Sequence, residues 1–312
     1  MINRIKYLSI LVCVFLIRDL FAQQLPQYTQ YNYNMNLVNP AYTGSISALK
    51  VNMMGRSQWN GVEGAPTTGT LVVDTALKNN IGLGFSAIYD QLGPVKQTHI
   101  YGDVSYGIRV SDEGRLAFGL KGGISFQNVN TNLLQFSIPE SVVNGINDKP
   151  SPNFGIGMYY HEDEFYLGLS IPNLLPNSFS QITNVSVNNI ENETNIYLSG
   201  GYLFEVNGSR DFIFKPSILV RYSTLFPVIT DISASVFLNQ KIELGISYRT
   251  NQTISLTSLF RLGDNMRVGY AYDYNSGELS AINNGSHEIL LLFNFRNEHR
   301  RRKGKYNRFM CF

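Results

Sequence analysis

Four histidines, His99, His161, His287 and His299, are the residues in this sequence most suited to chemistry. None stands at zinc-ligand spacing from a cysteine or a second histidine, so no metal site is expected. No Gly-x-Ser-x-Gly elbow, phosphate-cradling Gly-Lys-Ser/Thr loop or helix-opening Gly-x-Gly-x-x-Gly is present. Gly82-Leu83-Gly84 falls inside an alternating run, where small residues let neighbouring side chains pack. A hydrolase could still assemble a nucleophile, base and acid across strands, for example around His99, Asp103 and Ser105. The sequence is read as non-enzymatic, with no catalytic residue and no cofactor.

The other chemistry on offer is charge. Asp103, Arg109, Lys121, Lys215, Arg221, Glu243, Arg249, Arg261, Arg267, Asp273 and Glu288 all fall on the polar side of alternating segments. They would line a conduit for a solute or peptide, or pair into a network that fills an interior. The network is the expected arrangement, because a buried unpaired charge is expensive while paired ones are tolerated.

The elements that would position these residues have a period of two. In 81–90, Ile81, Leu83, Phe85, Ala87 and Tyr89 share one face; in 115–127, Leu116, Phe118, Leu120, Ile124 and Phe126 do. Fourteen such segments are predicted: 46–59, 67–76, 81–90, 97–110, 114–127, 152–161, 164–171, 194–205, 211–223, 229–238, 241–250, 253–262, 265–275 and 285–295. So much strand is unusual in a soluble domain, but a membrane barrel requires it. Each strand crosses with about 9–11 residues and closure leaves no edge unpaired. The fold class is therefore all-β: a closed antiparallel transmembrane barrel of about fourteen strands, with twelve or sixteen as the fallback. Leu116, Phe118, Leu120, Ile124, Ile242, Leu244, Ile246 and Val268 should face lipid; Lys121, Glu243, Arg249, Arg267 and Asp273 should face inward. Tyr89, Tyr106, Tyr159, Tyr160, Tyr202, Tyr222, Tyr248 and Tyr274 lie near strand ends, where an interfacial girdle would sit.

Composition agrees. The chain has 312 residues, 15% charged and 12% aromatic, with a net charge of +2, which argues against disorder and against nucleic-acid binding. Arg4 and Lys6 precede the apolar run 7–17, and Ala22 follows, so 1–22 reads as a signal peptide. Residues 23–44 are expected as a periplasmic N-terminal segment, 45–295 as the outer-membrane barrel and 296–312 as a basic tail. That tail carries Arg296, Arg300, Arg301, Arg302, Lys303, Lys305 and Arg308 against Glu298 alone. An even strand number puts both termini in the periplasm. The long pieces 128–151 and 172–193 are candidate excursions into or above the lumen. With Cys13 in the signal and Cys311 at the far end, the mature chain has no internal disulfide.

Several blocks resemble the PorP/SprF family of type IX secretion membrane proteins. They begin with Gln27-Tyr28-Thr29-Gln30-Tyr31 and Leu37-Val38-Asn39-Pro40-Ala41-Tyr42-Thr43-Gly44, followed by Arg56-Ser57-Gln58-Trp59 and Gly64-Ala65-Pro66-Thr67. Asp90-Gln91-Leu92-Gly93-Pro94, Lys215-Pro216-Ser217, Arg267-Val268-Gly269-Tyr270 and Gly285-Ser286-His287-Glu288-Ile289 continue in family order. Each block is weak alone; the ordered set spans nearly the whole mature chain. The basic tail and the 128–151 region depart from the pattern. The resemblance implies an outer-membrane barrel that works with the type IX machinery. Its implied partners are that machinery and the C-terminal domain of an exported client, often a gliding adhesin, which it delivers or anchors at the cell surface. Outer-membrane lipid surrounds it, and no nucleic acid is involved. Asn39, Pro40, Ala41, Tyr42, Gly44, Arg56 and Gln58 carry the family-like motif. Odd-numbered strands end at the outer rim, so Trp59, Asn60, Gly61, Glu63 and Pro66, with Gln91, Leu92, Gly93 and Pro94, are the candidate client contacts. A porin or solute transporter is the alternative; it calls for an open lumen, whereas a client-binding barrel calls for a filled one.

Overall fold

An alternating strand needs apolar surroundings on one side only, and its backbone needs a hydrogen-bonded neighbour on each edge. The computed structural model of the chain meets both needs with a single closed sheet. It describes residues 27–46, 48–130, 150–175, 194–206, 209–224, 226–277 and 283–296. The signal segment, the centres of both long excursions, the basic tail beyond Arg296, both cysteines and His299 lie outside the described residues.

Fifteen strand segments run β1 Ala48–Ser57, β2 Thr67–Ala76, β3 Ile81–Leu92, β4 Val95–Arg109, β5 Arg115–Val129, β6 Ser151–His161, β7 Phe165–Ile171, β8 Asn195–Tyr202, β9 Phe204–Val206, β10 Ser209–Ser223, β11 Ile229–Leu238, β12 Ile242–Arg249, β13 Thr253–Arg261, β14 Met266–Asn275 and β15 Ser286–Arg296. β8 and β9 meet β10 in one register, Gly201 opposite Ser217 and Phe204 opposite Phe214. They are two halves of one strand broken at Leu203, so fifteen segments make fourteen staves. Pairing of β1 with β15, from Ala48↔Arg296 to Ser57↔His287, closes the ring. The expected closed barrel of fourteen antiparallel strands is the observed one.

The faces follow the alternation. Phe118, Leu120, Ile124, Leu244 and Ile246 are exposed on the outer surface, with Leu116 and Val268 half-exposed beside them. Lys121, Glu243, Arg249, Arg267 and Asp273 are buried inside. Two of the expected inward charges stand at the short-turn rim, apart from the buried network. Arg109 and Arg261 are the last residues of their strands and reach Asp112 at 3.3 Å and Asp264 at 3.4 Å in the adjoining turns. Tyr159 leaves the expected girdle too: it points inward and is buried, while its neighbour Tyr160 looks outward.

The two rims differ. Among the described residues, one carries the short connections 77–80, 110–114, 162–164, 239–241 and 262–265. The 239–241 turn is a tight hairpin in which Asn239 and Gln240 both take positive φ, 48° and 54°, matching the twist of the flanking strands. The described connections 58–66, 93–94 and 250–252 stand at the opposite rim, as do the strand ends that flank the longest intervals between strands, β5 to β6 and β7 to β8.

Candidate functional site

The lumen is filled by the chain itself. Residues 27–46 lack strand alternation and instead form three short 3-10 turns, Tyr31–Tyr33, Met35–Leu37 and Pro40–Tyr42. The last is set by local chemistry. The Asn39 side chain accepts from Ala41 N at 2.9 Å, capping the turn, and Pro40 occupies the first position, where its fixed φ suits a helix start. Tyr31, Met35, Val38, Ala41, Tyr42 and Ile46 pack with Ala117, Tyr159 and Tyr166 of the wall into one apolar cluster. Burying each large side chain of this kind contributes about 1.5–3 kcal/mol. Tyr42 meets Tyr159 edge-on at 5.3 Å, and the Lys50 ammonium sits 4.4 Å over the Tyr42 ring. The wall must also lack side chains where the plug backbone touches it: a Cβ at Gly119 would collide with Pro40 and Ala41. Gly44 takes φ +70° as the plug turns toward β1, with no room for a Cβ against Gly82. The segment expected as a periplasmic lead-in at 23–44 is, over 27–44, an internal plug.

Polar groups fasten this plug to strands all round the ring. Thr29 N and Gln30 N donate to Glu288 at 3.0 and 2.9 Å, and Thr29 Oγ1 donates to Asp273 at 2.8 Å. Arg56 binds the same two carboxylates, at 2.6 Å to Asp273 and 3.1 Å to Glu288. Lower down, Lys50 pairs with Asp74 at 3.1 Å and donates to Asn36 Oδ1 at 3.0 Å. Lys121 pairs with Asp103 at 3.0 Å and donates to Asn36 O at 3.2 Å. Asn39 Nδ2 donates to Met158 O, Ser170 Oγ to Val38 O and Ser105 Oγ to Thr43 O, at 2.9, 2.6 and 2.5 Å. On the far side, Asn32 Nδ2 donates to Ser217 Oγ at 3.0 Å and Tyr166 OH to Asn32 Oδ1 at 3.1 Å. Most of the inward charges thus form a paired network, joined by Lys215–Glu243 at 2.9 Å and Arg249–Asp231 at 2.8 Å.

The plug has a direction. Gln27 accepts from Arg249, which ends β12 at the loop-bearing rim, whereas Thr43 and Gly44 meet Ser105 and Asp74 toward the short-turn rim. Gln27 thus stands at the loop rim and β15 ends at the other, because the plug crosses the lumen before β1 begins; the two ends of the chain lie outside the described residues.

The structure brings the two candidate contact loops together on that loop rim. Gly93 N donates to Gly64 O at 2.9 Å, tying the β3–β4 turn to the 58–66 loop. Gln91 and Leu92 are the last residues of β3; Gly93 and Pro94 make the turn. Within 58–66, Gln58 N donates to Pro66 O at 2.9 Å, and Asn60 exchanges two backbone bonds with 284–285, at 2.9 and 2.8 Å. Trp59 N donates to Ser286 Oγ at 3.2 Å. Trp59, Gly61, Gly64 and Gly93 all hold positive φ, so the loops are shaped by backbone geometry that few residue types adopt. Glu63 and Gly61 are exposed there, while Pro66 is buried.

The family-like motif residues converge elsewhere: Asn39, Pro40, Ala41, Tyr42 and Gly44 are plug, and Arg56 is its anchor. Gln58 begins the rim loop. Sequence reasoning missed Thr29, Gln30 and Asn36 as plug contacts, although a charge-free, tyrosine-rich stretch without alternation was a signal that this segment is neither strand nor solvated leader. The possible hydrolytic trio is not assembled. His99 Nδ1 lies 2.7 Å from Ser125 Oγ, Asp103 pairs with Lys121 and Ser105 holds the plug.

Comparison with known proteins adds three findings. The family model described as type IX secretion system membrane protein PorP/SprF matches residues 20–293. No curated protein is similar in sequence. Among solved structures, the CymD monoaromatic hydrocarbon channel matches with a TM-score of 0.52 at 10% identity, over 86% of this chain and 94% of that one. That likeness shows the barrel fold alone. The Acinetobacter baumannii outer membrane protein Omp33 matches at 0.47 and 9% identity, over 82% and 100%.

Proposed function

Because the chain belongs to the PorP/SprF family of type IX secretion membrane proteins, we propose that this outer-membrane barrel delivers or anchors an exported, adhesin-like client at the cell surface by binding its C-terminal domain. The observation that carries the proposal is the plug. A porin needs a continuous aqueous path, and here residues 27–46 occupy the lumen with buried side chains bonded to strands around the ring. A filled barrel has its rims left for work. The loop rim is taken as the outer one, since barrels of this kind carry short periplasmic turns and longer outer loops. The end of β15 is then periplasmic, and the N-terminal end of the plug reaches the outer side.

On that rim the joined loops 58–66 and 93–94 are the proposed client contact, through Trp59, Asn60, Gly61 and Glu63 with Gly93 and Pro94. A platform whose backbone is already ordered loses little entropy on binding. The barrel catalyses nothing in this proposal and holds the client by surface contact. Deleting the gene should leave the client synthesised but absent from the surface, and the purified barrel should carry the client's C-terminal domain with it. A deletion strain that displays every type IX client normally and loses uptake of a solute would replace this proposal with a transporter.

A further inference from the structure

Almost every charged group inside the barrel has a partner, and Arg221 is the exception. It lies on β10 two residues before the strand ends at the loop rim, is 8% exposed, and its guanidinium makes no hydrogen bond or ion pair in the described structure. A cleft of about 40 Å³ opens beside it, between the plug and the wall, lined by Tyr28, Tyr31, Tyr197, Leu219 and Asp231 among others. The second arginine of the cleft, Arg249, is spent. Its Nη2 and Nε hold Asp231 at 2.8 and 2.9 Å, and its Nη1 donates to Gln27 at 3.0 Å. The one carboxylate of the cleft is thus held by Arg249, and the Arg221 fork faces the cleft with no group bound to it.

We infer that the Arg221 cleft is a carboxylate-binding site that receives a carboxylate of the exported polypeptide. A planar guanidinium fork matches a carboxylate in geometry and can hold it through two parallel hydrogen bonds. A water needs about 10–15 Å³, so the cleft admits a carboxylate group but no bulky anion. Its aromatic walls lower the local dielectric and strengthen whatever pairs with the guanidinium. The occupant is assigned to the client because the cleft lies at the loop rim, where the proposed function places that client, and the inference rests on that function.

The test uses the full chain purified in detergent, with acetate as the probe followed by saturation-transfer NMR. Wild type should transfer saturation to acetate, and Arg221→Met should lower the signal at least five-fold, with Arg109→Met unchanged. N-acetylglycine should displace acetate while N-acetylglycinamide should not, which separates a polypeptide carboxylate from a small free ion. Because the Arg221 charge has no partner, Arg221→Met should fold with a melting temperature equal to or above wild type. In cells, Arg221→Met should reduce client display at least five-fold. Absence of transfer to wild type, displacement failing with N-acetylglycine, or loss of folding in Arg221→Met would each overturn the site. Normal display in Arg221→Met, in a strain where deletion abolishes display, would overturn its use by the client. Normal display in the deletion strain itself would instead overturn the proposed function.

Discussion

Replacing Arg56 by Met tests whether the plug is held by its ionic anchor. Arg56 is 5% exposed and lies between Asp273, 1% exposed, and Glu288, fully buried. One guanidinium serves both carboxylates, at 2.6 and 3.1 Å, and also donates to Thr29 Oγ1 at 3.0 Å. Breaking a buried pair from one side costs about 3–5 kcal/mol, because the remaining charge stays desolvated. Here two carboxylates are left facing each other, so the cost belongs at the upper end, about 5 kcal/mol. In guanidinium titrations of the detergent-folded barrel this corresponds to a midpoint lower by roughly 1 M. The anchored end of the plug should loosen with it, since Thr29 and Gln30 bind the same carboxylates; proteolysis of the folded protein should then cut near Tyr28. Adding Asp273→Asn and Glu288→Gln to Arg56→Met should recover part of the loss, as coupled neighbours do. A single variant with an unchanged midpoint and an uncut plug would refute the reasoning, and so would a triple variant less stable than the single one.

Further outcomes follow from the same geometry. Leu120, 64% exposed at mid-wall, should tolerate Phe, whereas Leu120→Lys should cost about 2–4 kcal/mol in lipid and lower the yield of assembled barrel measured by heat-modifiable gel mobility. Wild type should pass almost no current in planar bilayers, while deleting 27–44 should open a steady conductance; equal currents would mean that the plug does not seal the lumen. Gly119→Val should push Pro40 and Ala41 out of place and make the plug sensitive to protease, whereas Gly55→Val, where an added Cβ meets nothing within 4 Å, should not.

The sequence by itself determined the staves and their faces. Alternation is a local property, so Leu120 and Lys121 could be assigned to opposite sides without knowing any neighbour. The same locality explains the errors. Arg109 and Arg261 have inward parity, but parity does not say how deep in the lumen a residue lies, and both stand at the rim beside acidic turns. Tyr159 and Tyr160 are adjacent aromatics, and alternation with the exposed Phe154, Ile156 and Met158 already puts Tyr160 outside and Tyr159 inside, where it meets Tyr42. The meeting of 58–66 with 93–94 was half legible, since strand parity puts both on one rim while the Gly93–Gly64 bond depends on loop conformation. The composition of 27–46 hinted that the segment is neither strand nor leader, but where it binds was not legible. Its bonds join Thr29 to Glu288, 259 residues away, and Asn39 to Met158, 119 residues away, pairings that no local pattern encodes. The unpaired state of Arg221 belongs to the same class. Its type and face are written in the strand, but a missing partner becomes visible only when the closed barrel has placed every other charge.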